Sequence, residues 1–370
     1  MYFDLNSEQK MLAQTVRRFV DKECTSPKIR QIMQTPDAYD AALWGKMAAQ
    51  GWMSLTVPEE FGGLNESWLT VATVFEELGR GIVPGPFLAT VALAAPALAL
   101  AGNANQKARW LPLIAEGQAK ATLAYLEPTN SYSLDSLKTT ATPSENGYQL
   151  NGTKMFVLDA QVADFIIVAA QAEDGFGLFL VESGTAGLKI ELLEGMDLTR
   201  RLTRLTLENT PASKLDGAKD GRVVLEGALY RACLALSAEN MGGIQWILDT
   251  SVAYAKNREQ YGRLIGSYQA VAHPLVDRTL ELTSTRSALY QAAYELDYNP
   301  SGIAEAVSLV KALSSDSYRQ AAYTGIQTLG GIGFTWEHDM QLYFRRGSAN
   351  WSLFGDPTWH RELLLKAVGV

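Results

Sequence analysis

The sequence predicts an α+β fold in which a helical region, a small β domain and a helical bundle follow one another along the chain. Three observations lead there. Residues 1–120 carry apolar residues at helical spacing, and residues 121–222 break into short β-prone runs bounded by Gly and Asn. After Pro211 no proline occurs until Pro274, and long helical patterns fill the remainder. At 370 residues the chain exceeds the size at which one core keeps growing. The expected domains are 1–120 (helical), 121–222 (β) and 223–370 (a four-helix bundle).

In order along the chain, Asn6 or Ser7 can cap a helix whose Leu12, Val16, Phe19 and Val20 share one face. Helical stretches are expected at Leu43–Gln50 and Leu69–Gly79, with Gly79 as a C-terminal stop. Val57-Pro58-Glu59-Glu60-Phe61-Gly62-Gly63 between them reads as a loop. The apolar run Leu88–Gly102 is too short to span a bilayer and is interrupted by Pro96, so a buried helix pair is expected there. Asn146-Gly147 and Asn151-Gly152 read as turns. Phe165–Ala170 and Gly177–Val181 read as buried strands joined through Glu173-Asp174-Gly175. Leu225–Lys256, Ala270–Tyr298 and Ile303–Thr328 are expected as long helices, the last two antiparallel.

Composition excludes several classes of function. A hydrophobic fraction of 47% with 19% charged residues describes an ordinary globular protein. The net charge of −8 and the lack of a basic stripe argue against nucleic acid as a partner. Cys24 and Cys233 have no metal-type spacing and read as small buried hydrophobes. His273, His338 and His360 are too scattered for a zinc site. The opening Met1-Tyr2-Phe3-Asp4-Leu5-Asn6 lacks the layout of a signal peptide, so a cytoplasmic protein without membrane association is expected.

Six segments carry a more specific message: VPEEFGG (57–63), FEELGR (75–80), LAYLEPTNS (123–131), NGTKMFVLDAQVAD (151–164), YAKNREQYGRLIGSYQAVAH (254–273) and IQTLGGIGFTWEHD (326–339). In this order and at this spacing they resemble the acyl-CoA dehydrogenase family from one end of the chain to the other. The resemblance implies the family's fold, with an N-terminal helical domain, a middle β domain and a C-terminal helical bundle. It also implies FAD as cofactor, an acyl-CoA thioester as substrate, and an electron-transfer flavoprotein or similar acceptor. By the same resemblance Arg258, with Gln260, Tyr261 and Gln269 at family spacing, reaches the FAD pyrophosphate of a neighbouring subunit. A guanidinium fork suits that group, although a helix-end arginine taken alone would more readily read as solvated. Gln327, Gly330 and Gly331 would let a backbone approach the adenosine half of FAD, where a helix C-cap is the plainer reading of the glycines. A homo- or hetero-oligomer, dimer or tetramer, follows.

The flavin-ring segment departs from the family pattern. Leu126 replaces a hydroxyl residue, Thr129-Asn130-Ser131-Tyr132-Ser133 replaces a glycine-rich stretch, Phe156 stands for a tryptophan and Leu158 for a threonine. Backbone amides of Tyr125, Leu126 and Leu158 remain available to the ring edge. Proton abstraction α to a thioester suits a carboxylate in a dry pocket, because burial raises its pKa. The position of the family's usual glutamate falls on Phe354. Two substitutes are expected: Asp356, in LFGDPTWHR, and Glu239, in LSAENMGG on the helix that carries the base in some relatives. The plainer reading of Glu239 is an ion pair with an arginine such as Arg231. Two functions therefore stand: dehydrogenation of an acyl-CoA thioester by this chain, or a non-catalytic subunit that completes the FAD site of a paired active chain.

Overall fold

The computed structural model describes residues 4–129, 131–145, 147–218 and 220–369. Met1 to Phe3 of the opening segment, Asn130 and the Asn146 of the expected Asn146-Gly147 turn lie outside the described residues. Helices α1 (Ser7–Glu23), α2 (Ser26–Met33), α3 (Ala41–Ala48), α4 (Trp68–Arg80), α5 (Ala95–Ala101) and α6 (Ala104–Ala115) come first. Strands β1 (Ala121–Ala124), β2 (Thr140–Ser144), β3 (Gly147–Leu158), β4 (Phe165–Ala172), β5 (Gly175–Glu182), β6 (Leu188–Leu193) and β7 (Leu202–Lys214) follow. Then come α7 (Gly221–Asn257), the hairpin β8 (Glu259–Gln260) and β9 (Arg263–Leu264), and α8 (Gln269–Tyr298). The chain ends with α9 (Ile303–Leu329), α10 (Gly331–Phe334), α11 (Met340–Ser352) and α12 (Pro357–Ala367). The order helices, strands, helices is the α+β arrangement expected from the sequence.

The chain divides into two compact units. One comprises Gln31–Glu66 and Pro84–Ala232. Its sheet runs β4–β2–β3–β7–β5 and returns to β4, with β1 and β6 as additional strands on β4 and β7. The interior holds Ala124, Leu150, Ile166, Val168, Phe179, Val181 and Leu205. Strands β4 and β5 arise where the sequence predicts them, each a continuous buried apolar run. Asn151-Gly152 does not form a turn. It lies inside β3, where the register with β7 shifts between Leu150 and Gly152. Gly152 has φ 154°, and a Cβ there would come within 2.5 Å of Thr139 Oγ1, so the dipeptide marks a bulge. The apolar run after Phe87 is a π-helical turn, Leu88–Ala94, leading into α5, and almost all of it is buried.

The other unit comprises Met1–Arg30, Ser67–Val83 and Cys233–Val370. Asn6 and Gln9 form a capping box at the start of α1. Gly79 lies one residue before the end of its helix, α4, at Arg80, close to the stop expected there. A Cβ on it would sit 2.1 Å from the Glu239 carbonyl oxygen. Gly242 is its counterpart on α7, with a Cβ placed 1.8 Å from the Glu76 carbonyl oxygen. Gly243 faces the Tyr318 ring of α9, its Cβ 2.3 Å from the hydroxyl oxygen. The glycines thus let α4 and α7 approach to backbone contact, closer than any side chain permits. Among the described residues no helix is long and apolar enough to cross a membrane, and no group of His, Cys, Asp and Glu could hold a metal.

Candidate functional site

In the β-containing unit, the segments LAYLEPTNS and NGTKMFVLDAQVAD meet side by side. The Met155 amide donates to Leu126 O at 2.9 Å. Lys154 Nζ donates to Glu127 Oε1 at 2.8 Å, with Lys154 fully buried and Glu127 nearly so. Glu127 also accepts from the Lys138 amide (2.6 Å), the Thr139 amide (2.8 Å) and Thr139 Oγ1 (2.6 Å). Burial pushes the Lys154 amine down to about 8, against the raising effect of Glu127. Burial acts to raise the Glu127 carboxyl, but the Lys154 and Thr139 hydrogen bonds outweigh it and its pKa falls. The pair fixes the strand end that carries Tyr125 and Leu126 beside the one that carries Phe156 and Leu158. Phe156 adopts φ 56°, and the residue is 51% exposed. Leu158 and Tyr125 are buried. An exposed aromatic side chain offers a flat apolar surface to a planar ring such as isoalloxazine.

In the other unit, Glu239 lies in a buried polar chain. Its Oε1 accepts from Arg346 Nη1 at 2.6 Å and from Asn350 Nδ2 at 3.2 Å. Asn350 also donates to Asn240 Oδ1 (2.9 Å), and Asn240 to Ser314 Oγ (3.3 Å). The expected ion pair with an arginine is present, but the arginine is Arg346 of α11 and not Arg231, the one offered as an example. Arg231 starts eight residues before Glu239, about 12 Å along the helix axis, and bonds to Gly227 O at 2.9 Å. Asp356 caps α12, accepting from the Trp359 amide at 2.8 Å.

The turn between α11 and α12 places Phe354 at φ 61°, a conformation disfavoured for a residue with a side chain. Two buried groups hold it. Lys311 Nζ donates to Ser315 Oγ (2.9 Å), Gly355 O (3.0 Å), Asn350 O (3.3 Å) and Trp351 O (3.4 Å). His360 Nε2 lies 3.1 Å from Phe354 O, and since a carbonyl only accepts, Nε2 carries the hydrogen. Burial, then the neighbouring Lys311 charge, pushes His360 down to about 4. Burial alone lowers Lys311 to about 8. Lys311, His360, Arg346 and Asn350 were not anticipated from the sequence. The spacing of Tyr343, Arg346, Gly347 and Asn350 on α11 is a helical stripe that could have shown Arg346 facing inward.

Arg258, Gln260, Tyr261, Gln269, Gln327, Gly330 and Gly331 are all exposed. Tyr261 (φ 54°) and Gly262 (φ 77°) form the two-residue turn of the β8–β9 hairpin. The hairpin is braced by Tyr268 Oη donating to Gln260 O (3.0 Å) and by the Arg263 guanidinium 3.9 Å above the Tyr268 ring. Tyr261 is 94% exposed and Phe334, just beyond the glycine pair, 77%. Among the described residues no hydrogen bond joins the hairpin to the Gln327–Gly331 segment.

Comparison with known proteins identifies the family of the chain. The acyl-CoA dehydrogenase N-terminal, middle and C-terminal domains match residues 6–118, 122–210 and 219–369. This chain belongs to the acyl-CoA dehydrogenase family. It is 31% identical to the acyl-CoA dehydrogenase IpdE2 of Mycolicibacterium smegmatis, over 95% of this chain and 96% of that protein. Among solved structures it is similar to a chain of the ChsE4–ChsE5 complex from Mycobacterium tuberculosis, with TM-score 0.92, 26% identity and coverage of 100% and 99% of the two chains. It is equally similar to PigA, solved with FAD and proline, at TM-score 0.92, 26% identity and the same coverage. Acyl-CoA dehydrogenases are FAD-binding flavoproteins, and both the exposed Phe156 side chain and the exposed Arg258 fork are compatible with parts of that cofactor.

Proposed function

We propose that this acyl-CoA dehydrogenase family member works as one subunit of a heteromeric assembly, completing the FAD site of a paired chain that carries out α,β-dehydrogenation of an acyl-CoA thioester. The observation that carries the reading is the Arg346–Glu239 pair. A carboxylate held by a buried guanidinium is a poor acceptor for an α proton, Asp356 is engaged as a helix cap, and Phe354 has no basic atom. The residues suited to a neighbour's cofactor remain exposed. Likeness to a chain of the ChsE4–ChsE5 complex supports a two-chain assembly.

In this reading FAD, when bound, would supply the acceptor for the hydride that leaves the β carbon. Arg258 would hold its pyrophosphate, and Gln327, Gly330 and Gly331 would meet the adenosine half. Gln260, Tyr261 and Gln269 would stand beside Arg258 at the same neighbour's cofactor. The partner taking up the electrons would be an electron-transfer flavoprotein or similar acceptor. The second reading, catalysis by this chain with Glu239 or Asp356 as base, is favoured by the relative named an acyl-CoA dehydrogenase.

The test is the absorbance spectrum and single-turnover reduction of the chain purified alone. Colourless protein, or flavin that acyl-CoA does not bleach, is expected. One FAD per chain, bleached by an acyl-CoA, would overturn the proposal, and Glu239→Gln and Asp356→Asn would then identify the base. Light scattering should give a dimer or larger; a monomer with bound FAD contradicts the reading. In the assembly, Arg258→Ala should weaken FAD by about 1.5–3 kcal/mol, the worth of a charge-assisted bond.

A further inference from the structure

The segment after the glycine pair is held from within by short-range bonds, among them Thr335 Oγ1 to Ile332 O (3.0 Å) and the Met340 amide to His338 Nδ1 (3.0 Å). Gly330 has φ 67° and ψ −141°, a region open essentially to glycine alone, and α10 is a single turn. Beyond α10 the Thr335 amide bonds to Ile332 O (3.2 Å) and the His338 amide to Thr335 O (3.4 Å), both local turns. The constraint from outside comes from the N-terminal helices. Arg30 Nη1 donates to Trp336 O at 2.7 Å, and Nη2 donates to Glu337 O (3.3 Å) and Asp339 Oδ1 (2.8 Å). Arg30 Nε reaches the same Asp339 oxygen at 3.2 Å, and Ser26 Oγ donates to it at 2.6 Å. Gln341 Nε2 adds a second bond to Trp336 O (3.2 Å), and the Arg345 guanidinium lies 5.1 Å from the Trp336 ring centroid.

The geometry points to Arg30 and Asp339 as positioning residues that set the shape of residues 335–339 and so present the glycine pair to the cofactor of a neighbouring chain. This rests on the proposed function in one respect only, that the segment meets a neighbour's FAD. A planar fork with five donors can serve two carbonyls and a carboxylate together; a lysine ammonium lacks that geometry. The arginine side chain is only 19% exposed and Asp339 28%, so the node is partly shielded from salt. The exposed Ile332 and Phe334 stand between the glycines and this anchor, in the stretch whose far end the anchor fixes.

Two measurements test it. In the chain alone, free of FAD, Arg30→Gln and Asp339→Asn should speed amide hydrogen exchange at Thr335 and His338 by about tenfold or more, because local opening loses its external tie. In the purified assembly, stripped of flavin and titrated with FAD, the same variants should weaken binding by about tenfold, and Arg30→Lys by less. The double variant should be no worse than either single one, since both remove one node. Unchanged exchange in both single variants overturns the positioning role. Faster exchange with unchanged FAD affinity, while Arg258→Ala weakens FAD, overturns the link to the cofactor. If Arg258→Ala also leaves FAD unchanged, the proposed function fails, and the exchange result still decides whether Arg30 shapes the segment.

Discussion

Arg346→Met tests whether Glu239 is a structural carboxylate. The Arg346 side chain is 2% exposed and that of Glu239 7%, so the substitution takes a buried guanidinium from beside a buried carboxylate. Removing one partner of a buried pair costs about 3–5 kcal/mol. For a compact unit of this size each kcal/mol shifts Tm by about 2–4 °C, so a fall on the order of 10 °C is expected. Replacing both partners with apolar residues, Arg346→Met with Glu239→Leu, should recover most of the loss, because the double change removes the desolvation penalty along with the attraction. Denaturant unfolding of the flavin-free chain in a double-mutant cycle measures the coupling. A single-variant loss below about 1 kcal/mol, or a double variant as unstable as the sum of the singles, refutes the structural assignment. A stable Glu239→Gln chain that binds FAD and loses flavin reduction would point instead to the base.

Gly242→Ala puts a methyl 1.8 Å from Glu76 O; α4 must shift, and denaturant midpoints should show a loss of about 1–3 kcal/mol or more. Asp356→Ala removes a helix cap and should cost about 1 kcal/mol while leaving any flavin reduction intact, measured by thermal melts beside single-turnover traces. His360 takes up a proton near pH 4 when folded and at its ordinary 6.5 when unfolded. The unfolded state binds more protons between those values, so stability is full above pH 6.5 and falls as the pH drops toward 4. The loss is about 3 kcal/mol. His360→Gln should flatten that part of the stability curve; an unchanged slope from pH 7 to 4 would count against the buried neutral imidazole.

The architecture was legible because its signals are periodic and local. The continuous apolar runs of β4 and β5 and the long helical patterns of α7, α8 and α9 announce themselves without knowledge of neighbours. The six motif segments likewise pointed to the family, later shown by its domain matches. Where local rules misled, a distant partner had intervened. Asn151-Gly152 has the look of a turn, yet it is a bulge opposite β7, and Gly79, read only as a helix end, also lets the Glu239 backbone approach. The candidate base shows the limit most clearly. A buried glutamate before paired glycines can be an acid–base group or half of an ion pair, and its own sequence neighbourhood is the same in both cases. The partner, Arg346, lies 107 positions away, and what a carboxylate can do depends on the charge beside it and the water removed from it. Arg30 is similar: its role lies in carbonyls more than three hundred residues distant. Sequence alone determined which elements form and which family they build; the tertiary structure decided which charges are engaged, because the pairing of a buried polar group is set by the three-dimensional approach of segments far apart in the chain.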